Sequence, residues 1–280
     1  MVAIDVDGTL LNNNHQIPIE NVQTIRELKE KGVHFVIVTG RPDASVKEYV
    51  EILGIDAPIL GCNGATIRNI FTNELHVLKS IDTEALNQLQ EYFGAKNLYP
   101  RFYGLDSVFT LNPYEFEEDK NPFAKFSKRL NSIMPFKIVN SIQDITSNQI
   151  EVTKVVYINT NPETIITIQD EIRKIKGIEA YRVGSISLDI VTSGVSKGQA
   201  LLDYAASLNI SKNEIIAIGD SENDLSMLEA VGYPVTLENG EDTLKKMARL
   251  ITDSNENSGV AKALKTIYEY NEEEGKYNGI

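Results

Sequence analysis

Two aspartates stand at alternate positions near the start of the chain, in the stretch AIDVDGTLL. The apolar residues around them predict a strand over residues 2–6 that is covered on both faces, as in a parallel sheet. Asp5 and Asp7 place two negative charges about 4 Å apart, which repel by about 4 kcal/mol at an effective dielectric constant of about 20. The pair therefore requires a cation or a shared proton, and the alternative is a solvated strand end before a glycine turn.

Two further segments place polar side chains where a strand ends or a helix begins. Thr39 and Gly40 end the strand predicted over residues 33–39, where a hydroxyl and free backbone N–H groups can hold phosphate oxygens. Lys197 follows the natural N-cap Ser196, at a helix start where the macrodipole disfavours a cation unless an anion lies nearby. An ordinary turn after Thr39 and a solvated surface lysine are the alternatives.

A last polar segment, GDSENDLSML, begins where a buried apolar strand ends in an acid. Asn223 and Asp224 follow Asp220 by three and four positions, so a helix that begins here turns them to one side. A capping box from Ser221 to Asp224 explains Asp224 but leaves Asp220, at the end of a core strand, unexplained.

Together these segments predict one charge-balanced site, in which carboxylates face a divalent metal while Lys197 and Thr39 face an anion. Hard oxygen ligands suit Mg²⁺ rather than zinc, because neither histidine nor cysteine accompanies the acids. The predicted metal site comprises Asp5, Asp7, Asp220 and Asp224. The histidines lie at no metal-ligand spacing and are predicted to be structural: His15, His34 and His76.

The charge of the chain limits the class of partner. Over 280 residues the formal net charge is -13, so no broad positive field favours nucleic acid or a membrane surface. The N-terminal residues lack a signal-peptide pattern, and no apolar run approaches the length of a membrane span, which predicts a cytoplasmic protein. The single cysteine, Cys62, excludes an internal disulfide and is expected to be inert and half-buried.

The pattern of secondary structure changes twice along the chain. Strand and helix patterns alternate in the first and last thirds, over strands 2–6, 33–39, 58–64, 214–220 and 233–237 and helices 19–31, 43–53, 196–208 and 222–230. This alternation predicts an α/β fold whose core is one Rossmann-like parallel sheet built from both ends of the chain. The closing residues 268–280 are acidic and predicted to be frayed.

The middle of the chain is aromatic-rich and turn-rich, with antiparallel strand patterns between helices predicted at 83–93, 121–132 and 162–176. It predicts an inserted α+β domain over residues 81–190, with a core formed by residues 1–80 and 191–280. Such an insertion lies over the strand ends, where open α/β proteins bind ligands. Its candidate substrate contacts are Arg101, Tyr103, Asp106 and Arg182.

The combination and order of the motifs resembles the haloacid dehalogenase superfamily. The matching elements are D-x-D-G-T near the N-terminus, a Thr that ends the second strand, a Lys that opens a later helix, and G-D-x-x-x-D. The insertion resembles the type C2B cap of the Cof-like type IIB sugar-phosphatase branch, and CNGA at 62–65 and DSNENSGVAKAL at 253–264 are similar to that branch. The resemblance covers essentially the whole chain and implies a Mg²⁺-dependent phosphatase of small phosphorylated metabolites, sugar phosphates foremost.

The resemblance also implies roles for the acids. Asp5 is the nucleophile that forms an aspartyl-phosphate, while Asp7 protonates the leaving oxygen and later deprotonates water. Mg²⁺ is bound by Asp5, by the backbone carbonyl of Asp7 and by Asp220, with Asp224 among these ligands or directly behind them.

The remaining polar residues are assigned to phosphate by the same resemblance. Thr39, Gly40 and Lys197 hold the phosphoryl oxygens, and Asn223 lies close by. Positioning and electrostatics then supply most of the rate enhancement.

Three alternatives remain open on the sequence. A phosphomannomutase-like mutase would use the same chemistry to move phosphate between two positions of a sugar. A signalling receiver also uses clustered acids, a Thr and a Lys, but its phosphorylated Asp follows an acidic pair at the end of a later strand. A non-catalytic sensor would bind the metal and the phosphorylated metabolite without turnover.

Overall fold

The computed structural model describes the backbone of residues 1–273 and the side chains of residues 1–268. The strands are β1 Val2–Ile4, β2 Phe35–Ile37, β3 Ile59–Gly61, β4 Thr66–Asn69, β5 Glu74–Leu78, β6 Arg101–Tyr103, β7 Val108–Thr110, β8 Phe136–Ile138, β9 Lys154–Ile158, β10 Ile178–Val183, β11 Ser187–Thr192, β12 Ile216–Gly219, β13 Tyr233–Leu237 and β14 Leu250–Thr252. The α-helices are α1 Ile19–Glu30, α2 Lys47–Leu53, α3 Thr83–Ala95, α4 Ala124–Asn131, α5 Gln143–Thr146, α6 Pro162–Ile172, α7 Lys197–Ser207, α8 Leu225–Ala230, α9 Asp242–Met247 and α10 Gly259–Glu273.

Five parallel strands form the core sheet, in the order β14-β13-β12-β1-β2. Val2 of β1 is paired with Ile216 on one side and Phe35 on the other, so the two ends of the chain share one sheet. A parallel bridge between Val38 and Leu60 continues the sheet toward β3. The predicted α/β class with a Rossmann-like parallel core is confirmed, and the carboxyl ends of β1, β2 and β12 meet at one edge.

The strand predicted over 58–64 is shorter than expected. It ends at Gly61, and a short 3-10 helix, Cys62–Gly64, follows with positive φ at Cys62, Asn63 and Gly64. Those backbone angles cannot continue a strand, so the chain turns back into the hairpin of β4 and β5, which the periodicity did not predict.

Six strands of the middle region form a second sheet, the cap sheet, in the order β10-β11-β9-β6-β7-β8. All its neighbours are antiparallel except β7 and β8. Side chains alternate along β9, so that Val155 and Tyr157 pack into the apolar cluster that also holds residues of α3 and α6. Lys154, Val156 and Ile158 point to the opposite face, which lines a cleft.

The separate α+β character of the middle region agrees with the prediction, while the division at residues 81 and 190 stays a prediction. The strands of the cap sheet run from Arg101 to Thr192, so β11 crosses the predicted second boundary. Residues 268–273 continue α10, and the rest of the predicted frayed tail lies outside the described residues. Within the described part of the chain, no helix is both long and apolar enough to cross a membrane.

Candidate active site

A buried lysine joins two carboxylates where β1 ends and α7 begins. Lys197 Nζ donates hydrogen bonds of 2.6 Å to Asp5 Oδ1 and 2.6 Å to Asp224 Oδ1, and its side chain is only 1% exposed. Burial opposes the charge of this lysine, but the two carboxylates prevail and raise the pKa of Lys197 above its usual value. The anion that a lysine requires at a helix start is thus supplied by the protein itself.

Asp224 accepts hydrogen bonds from three protein donors. Besides Lys197, it accepts the backbone N–H groups of Asp220 at 3.0 Å and Ser221 at 3.1 Å through Oδ2. The capping box and the charged site are therefore one arrangement, because the carboxylate that caps the turn also holds the lysine.

Asp220 lies beside this pair with both carboxylate oxygens hydrogen-bonded. Thr9 Oγ1 donates to Oδ1 at 2.8 Å and Ser221 Oγ donates to Oδ2 at 3.0 Å. Burial, followed by the negative charge of Asp224, raises the pKa of Asp220 to about 7. Gly8 adopts a φ of +77°, and a Cβ there would overlap the Asp220 carboxylate, so this close approach requires glycine.

Three carboxylates thus crowd together against one ammonium group. One oxygen from each of Asp5, Asp220 and Asp224 lies within 4.8 Å of the others. Burial, with the charge of Asp224 next in size, raises the pKa of Asp5 well above its usual value although Lys197 opposes this. An excess of negative charge with oxygen ligands alone fits a divalent cation such as Mg²⁺.

The carboxylate of Asp7 is turned away from this cluster. Arg41 donates to it twice, from Nε at 2.6 Å and from Nη2 at 2.5 Å. Burial opposes the guanidinium charge, but the bonds to Asp7 raise the pKa of Arg41 above its usual value. The carboxylate is therefore not grouped with the predicted metal ligands, whereas coordination through the backbone carbonyl of Asp7 stays a prediction.

Arg41 was given no role by the sequence, although it directly follows the polar turn at Thr39 and Gly40. Thr39 is buried, and its hydroxyl accepts the backbone N–H of Arg41 at 3.1 Å, as an ordinary turn would have it. The turn therefore presents Gly40 and Arg41 to the cleft while the Thr39 side chain holds it together.

A cleft of about 290 Å³ lies between this edge of the core sheet and the face of the cap sheet. Of the predicted site residues, it is lined by Asp5, Asp7, Gly40 and Asn223. The cap sheet contributes Lys154 and Asp189, and α4 contributes Phe126, Arg129 and Leu130. His15, predicted to be structural, also lines the cleft.

Of the four candidate substrate contacts in the middle region, only Tyr103 lines this cleft. The other three candidates do not line it, and each of their charged groups has a partner. Arg101 Nε bonds Glu115 at 2.7 Å, Asp106 pairs with Arg68, and Arg182 pairs with Glu222.

Cys62 is buried rather than half-buried, at 3% exposure. Burial raises the pKa of its thiol to about 11, so the thiol remains protonated at neutral pH, in keeping with the inert role that was expected.

The charged cleft residues Lys154 and Asp189 were missed by the sequence analysis. Both are buried charged residues in strands whose other residues are mostly buried and apolar, at the start of KVVYINTN and in the middle of β11. The same signal, a charge in a buried strand, had identified Asp5.

Comparisons with known proteins cover nearly the whole chain. A family model described as haloacid dehalogenase-like hydrolase matches residues 2–264. The chain is 30% identical over 278 residues to the 5-amino-6-(5-phospho-D-ribitylamino)uracil phosphatase YwtE of Bacillus subtilis, covering 93% of this chain and 95% of that protein.

Solved structures agree with the family match. A haloacid dehalogenase-like hydrolase from B. subtilis superposes with a TM-score of 0.81 at 27% identity, covering 94% of this chain and 98% of that one. The subclass IIB sugar phosphatase BT4131 superposes with a TM-score of 0.79 at 22% identity, covering 95% and 98%, and this likeness bears on the fold alone. Core and cap sheets are therefore matched together.

Proposed function

Since the chain belongs to the haloacid dehalogenase-like hydrolases, in their Cof-like branch, and is a phosphatase, we propose that it hydrolyses small phosphorylated metabolites through an aspartyl-phosphate on Asp5. The observation that carries this mechanism is the buried contact of Asp5 with Lys197 below the cleft. The resemblance seen in the motifs is confirmed, and membership in a hydrolase family decides against a signalling receiver.

We assign the metal to the carboxylates that accept the fewest hydrogen bonds from the protein. Asp5 bonds Lys197 through Oδ1, which leaves Oδ2, and each oxygen of Asp220 accepts one hydrogen bond and keeps a second lone pair. Asp224 accepts three hydrogen bonds, against one for Asp5 and two for Asp220, and acts behind these ligands by holding Lys197 and the loop. The backbone carbonyl of Asp7 completes the protein ligands. Bound there, Mg²⁺ offsets the charge of the carboxylates and of the phosphate.

In the first half-reaction, a carboxylate oxygen of Asp5 bonds to phosphorus while the bond from phosphorus to the leaving oxygen breaks. Asp7 delivers a proton to that leaving oxygen. Because Arg41 holds the Asp7 carboxylate with two hydrogen bonds, this pair opens and Asp7 takes up a proton from water before it reaches the substrate.

In the second half-reaction, water attacks phosphorus, Asp7 takes its proton, and the bond between Asp5 and phosphorus breaks to release inorganic phosphate. Lys197 and the backbone at Thr39 and Gly40 hold the oxygens of the phosphoryl group through both steps, together with Asn223. Charge and position thus do most of the work of catalysis.

Sugar phosphates and related polyol phosphates form the proposed substrate class. The relative YwtE is named for a phosphorylated ribityl compound, which supports a polyol next to the phosphate. The cleft offers the polar pair Lys154 and Asp189, while Phe126 and Ile133, about half exposed at 50% and 47%, form an apolar side. Such a lining suits a leaving group that has both hydroxyls and carbon faces.

The test is phosphate release from a panel of sugar and nucleotide phosphomonoesters, with Mg²⁺ and with a chelator, by the native chain and by Asp5→Asn. Release that requires Mg²⁺ and is lost in Asp5→Asn supports the proposal. Transfer of phosphate to a second position of the sugar would instead identify a mutase, and ligand binding without release would identify a sensor. Full activity of Asp5→Asn would contradict the mechanism.

A further inference from the structure

A network of buried hydrogen bonds connects the cap sheet to Gly40 and Asn223, the core residues that were assigned to phosphate. Lys154 Nζ, on β9, donates to the carbonyl of Gly40 at 2.6 Å and to Asp189 Oδ2, on β11, at 2.9 Å. The same Asp189 oxygen accepts Asn63 Nδ2 at 2.9 Å. Asn63 Oδ1 in turn accepts Asn223 Nδ2 at 2.9 Å.

The four side chains of this network are buried, with exposures of 5% for Lys154, 2% for Asp189, 1% for Asn63 and 6% for Asn223. Burial opposes the charge of Lys154, but the Asp189 carboxylate beside it raises the pKa of this lysine, so the lysine is charged. Buried polar groups that are hydrogen-bonded to one another hold one geometry rather than several.

The carboxylate of Asp189 fixes which group donates and which accepts in each hydrogen bond of this network. An ionised carboxylate can only accept hydrogen bonds, so Asp189 requires Asn63 to present its NH₂ group. The carbonyl oxygen of Asn63 then faces Asn223, which must present its own NH₂ group. The Asp189 carboxylate on the cap sheet therefore decides which atom of the Asn223 amide faces Asn63 and the turn at Gly40.

The atom so selected lies beside the polar turn that was assigned to phosphate. Asn223 Nδ2 is 3.3 Å from the place that a Cβ on Gly40 would occupy, and both residues line the cleft. An amide nitrogen carries two N–H groups, and Asn63 takes one of them. The reverse orientation would turn a carbonyl oxygen toward the turn and repel phosphate.

The backbone at CNGA, a motif that the proposed function leaves unused, supports this arrangement. Asn63 has a φ of 58°, in the left-handed region that asparagine tolerates. Gly64 approaches α7 so closely that a Cβ there would meet Ala200 Cβ at 2.8 Å. The turn thus places the Asn63 amide between the cap sheet and Asn223.

We propose that Asp189 is a positioning residue of the phosphate site, which orients the amide of Asn223 through Asn63 while Lys154 anchors Asp189 to the Gly40 turn. This inference rests on the proposed function, because it takes Asn223 and Gly40 as phosphate-binding groups. It assigns the cap sheet a part in binding the phosphate, in addition to contacting the leaving group.

Calorimetric titration of the full chain with inorganic phosphate, in the presence of Mg²⁺, tests this role. Asp189→Asn is expected to bind phosphate about tenfold more weakly. The new amide at position 189 can donate as well as accept, so it no longer forces Asn63 to present its NH₂ group. Asn63→Gly keeps the left-handed backbone and removes the connecting amide, and the same loss is expected. If Asp189→Asn does not fold, Asn63→Gly alone decides.

Epistasis with Asn223 separates positioning from other roles. In the Asn223→Ala background, Asp189→Asn is expected to change phosphate affinity by less than about twofold, because the group that it orients is gone. Glu115→Gln is the matched control: it alters a buried carboxylate paired with Arg101, at 2% exposure, and is expected to leave phosphate affinity unchanged.

Equal losses from Asp189→Asn in both backgrounds would overturn the inference, as would a lower melting temperature with native phosphate affinity. In both cases a native chain that still binds and releases phosphate leaves the proposed function standing. A native chain that neither binds inorganic phosphate nor releases it from any ester would overturn the proposed function and this inference together.

Discussion

Two buried lysines contact residues that line the cleft, one lysine in the core and one in the cap sheet, and their surroundings differ in charge. Lys197 bonds two carboxylates and has a third, Asp220, nearby. Lys154 bonds one carboxylate and one neutral carbonyl. The core cluster therefore keeps an excess of negative charge that favours a cation, whereas the cap pair is balanced and supplies orientation.

Lys197→Met is expected to give the largest loss of stability. It leaves buried carboxylates without their cation, which costs about 3–5 kcal/mol in the free energy of unfolding. Mg²⁺ should stabilise this variant more than it stabilises the native chain, because the metal then replaces the missing charge. Urea unfolding with Mg²⁺ and with a chelator measures both effects.

Lys262→Met serves as the control for Lys197→Met, since Lys262 forms an exposed pair with Asp253, at 52% and 50% exposure. Its expected change is below about 1 kcal/mol. A Lys197→Met protein as stable as this control, or one that gains no more from Mg²⁺ than the native chain, would contradict the excess of negative charge.

Lys154→Met should destabilise less, by about 1–3 kcal/mol, because Asp189 keeps the Asn63 amide as a donor. The metal is expected to stabilise this variant only as much as it stabilises the native chain. The same urea series checks this, and an additional gain from Mg²⁺ would show that the two lysines act on one charge cluster.

The dependence of metal binding on pH sharpens the comparison further. Burial raises the pKa of Asp220 to about 7, so this carboxyl binds its proton more tightly in the folded than in the unfolded chain. It therefore makes the metal-free protein less stable as the pH rises from about 4 to about 7. Mg²⁺ must displace that proton, so its stabilising effect should grow between pH 6 and pH 8.

Melting temperatures with and without Mg²⁺ across that range measure the effect of pH. In Asp220→Asn the increase with pH should be much smaller. A Mg²⁺-induced shift that is constant with pH in the native chain would mean that this carboxyl holds no proton at the metal site.

The smallest effect on stability and activity is expected from Gly40→Ala, which adds a methyl group where the core turn at Gly40 meets the cap sheet. The new Cβ would lie 3.0 Å from Asn63 Oδ1 and 3.2 Å from Asp189 Oδ2. These contacts are tight, so KM for a phosphomonoester should rise severalfold with little change in stability. Gly94→Ala, in α3 where a Cβ meets none of the described residues within 4 Å, should leave KM unchanged and stabilise the chain by about 0.5–1 kcal/mol. An unchanged KM in Gly40→Ala would show that the junction tolerates displacement.

Much of the core could be predicted because its signals are local. A strand that ends in an acid, a hydroxyl in a turn and a lysine after an N-cap each report their place along one element. The carboxyl ends of parallel strands then necessarily meet at one edge, which brought Asp5, Lys197 and Asp224 together.

The cap contacts could not be predicted in the same way. Arg101, Lys154 and Arg182 are all cations in strands of the cap sheet, and each meets a carboxylate that lies 14, 35 or 40 residues away in the sequence. Pairing over such separations leaves no local pattern. The partner of Asp7 was missed for the same reason, since Arg41 lies 34 residues away. The sequence does offer one signal for Lys154 and Asp189, a charged residue in a buried strand, but only the core strands were interpreted with it.

The most direct test of the central claim is to locate the phosphoryl group during turnover. The native chain with Mg²⁺ and a substrate from the panel is quenched in acid, and its peptides are analysed by mass spectrometry. The mechanism predicts a phosphoryl group on the peptide that contains Asp5, absent when Asp5→Asn is treated in the same way. Steady turnover by Asp5→Asn, or a native chain whose phosphoryl group is found on another residue, would contradict it.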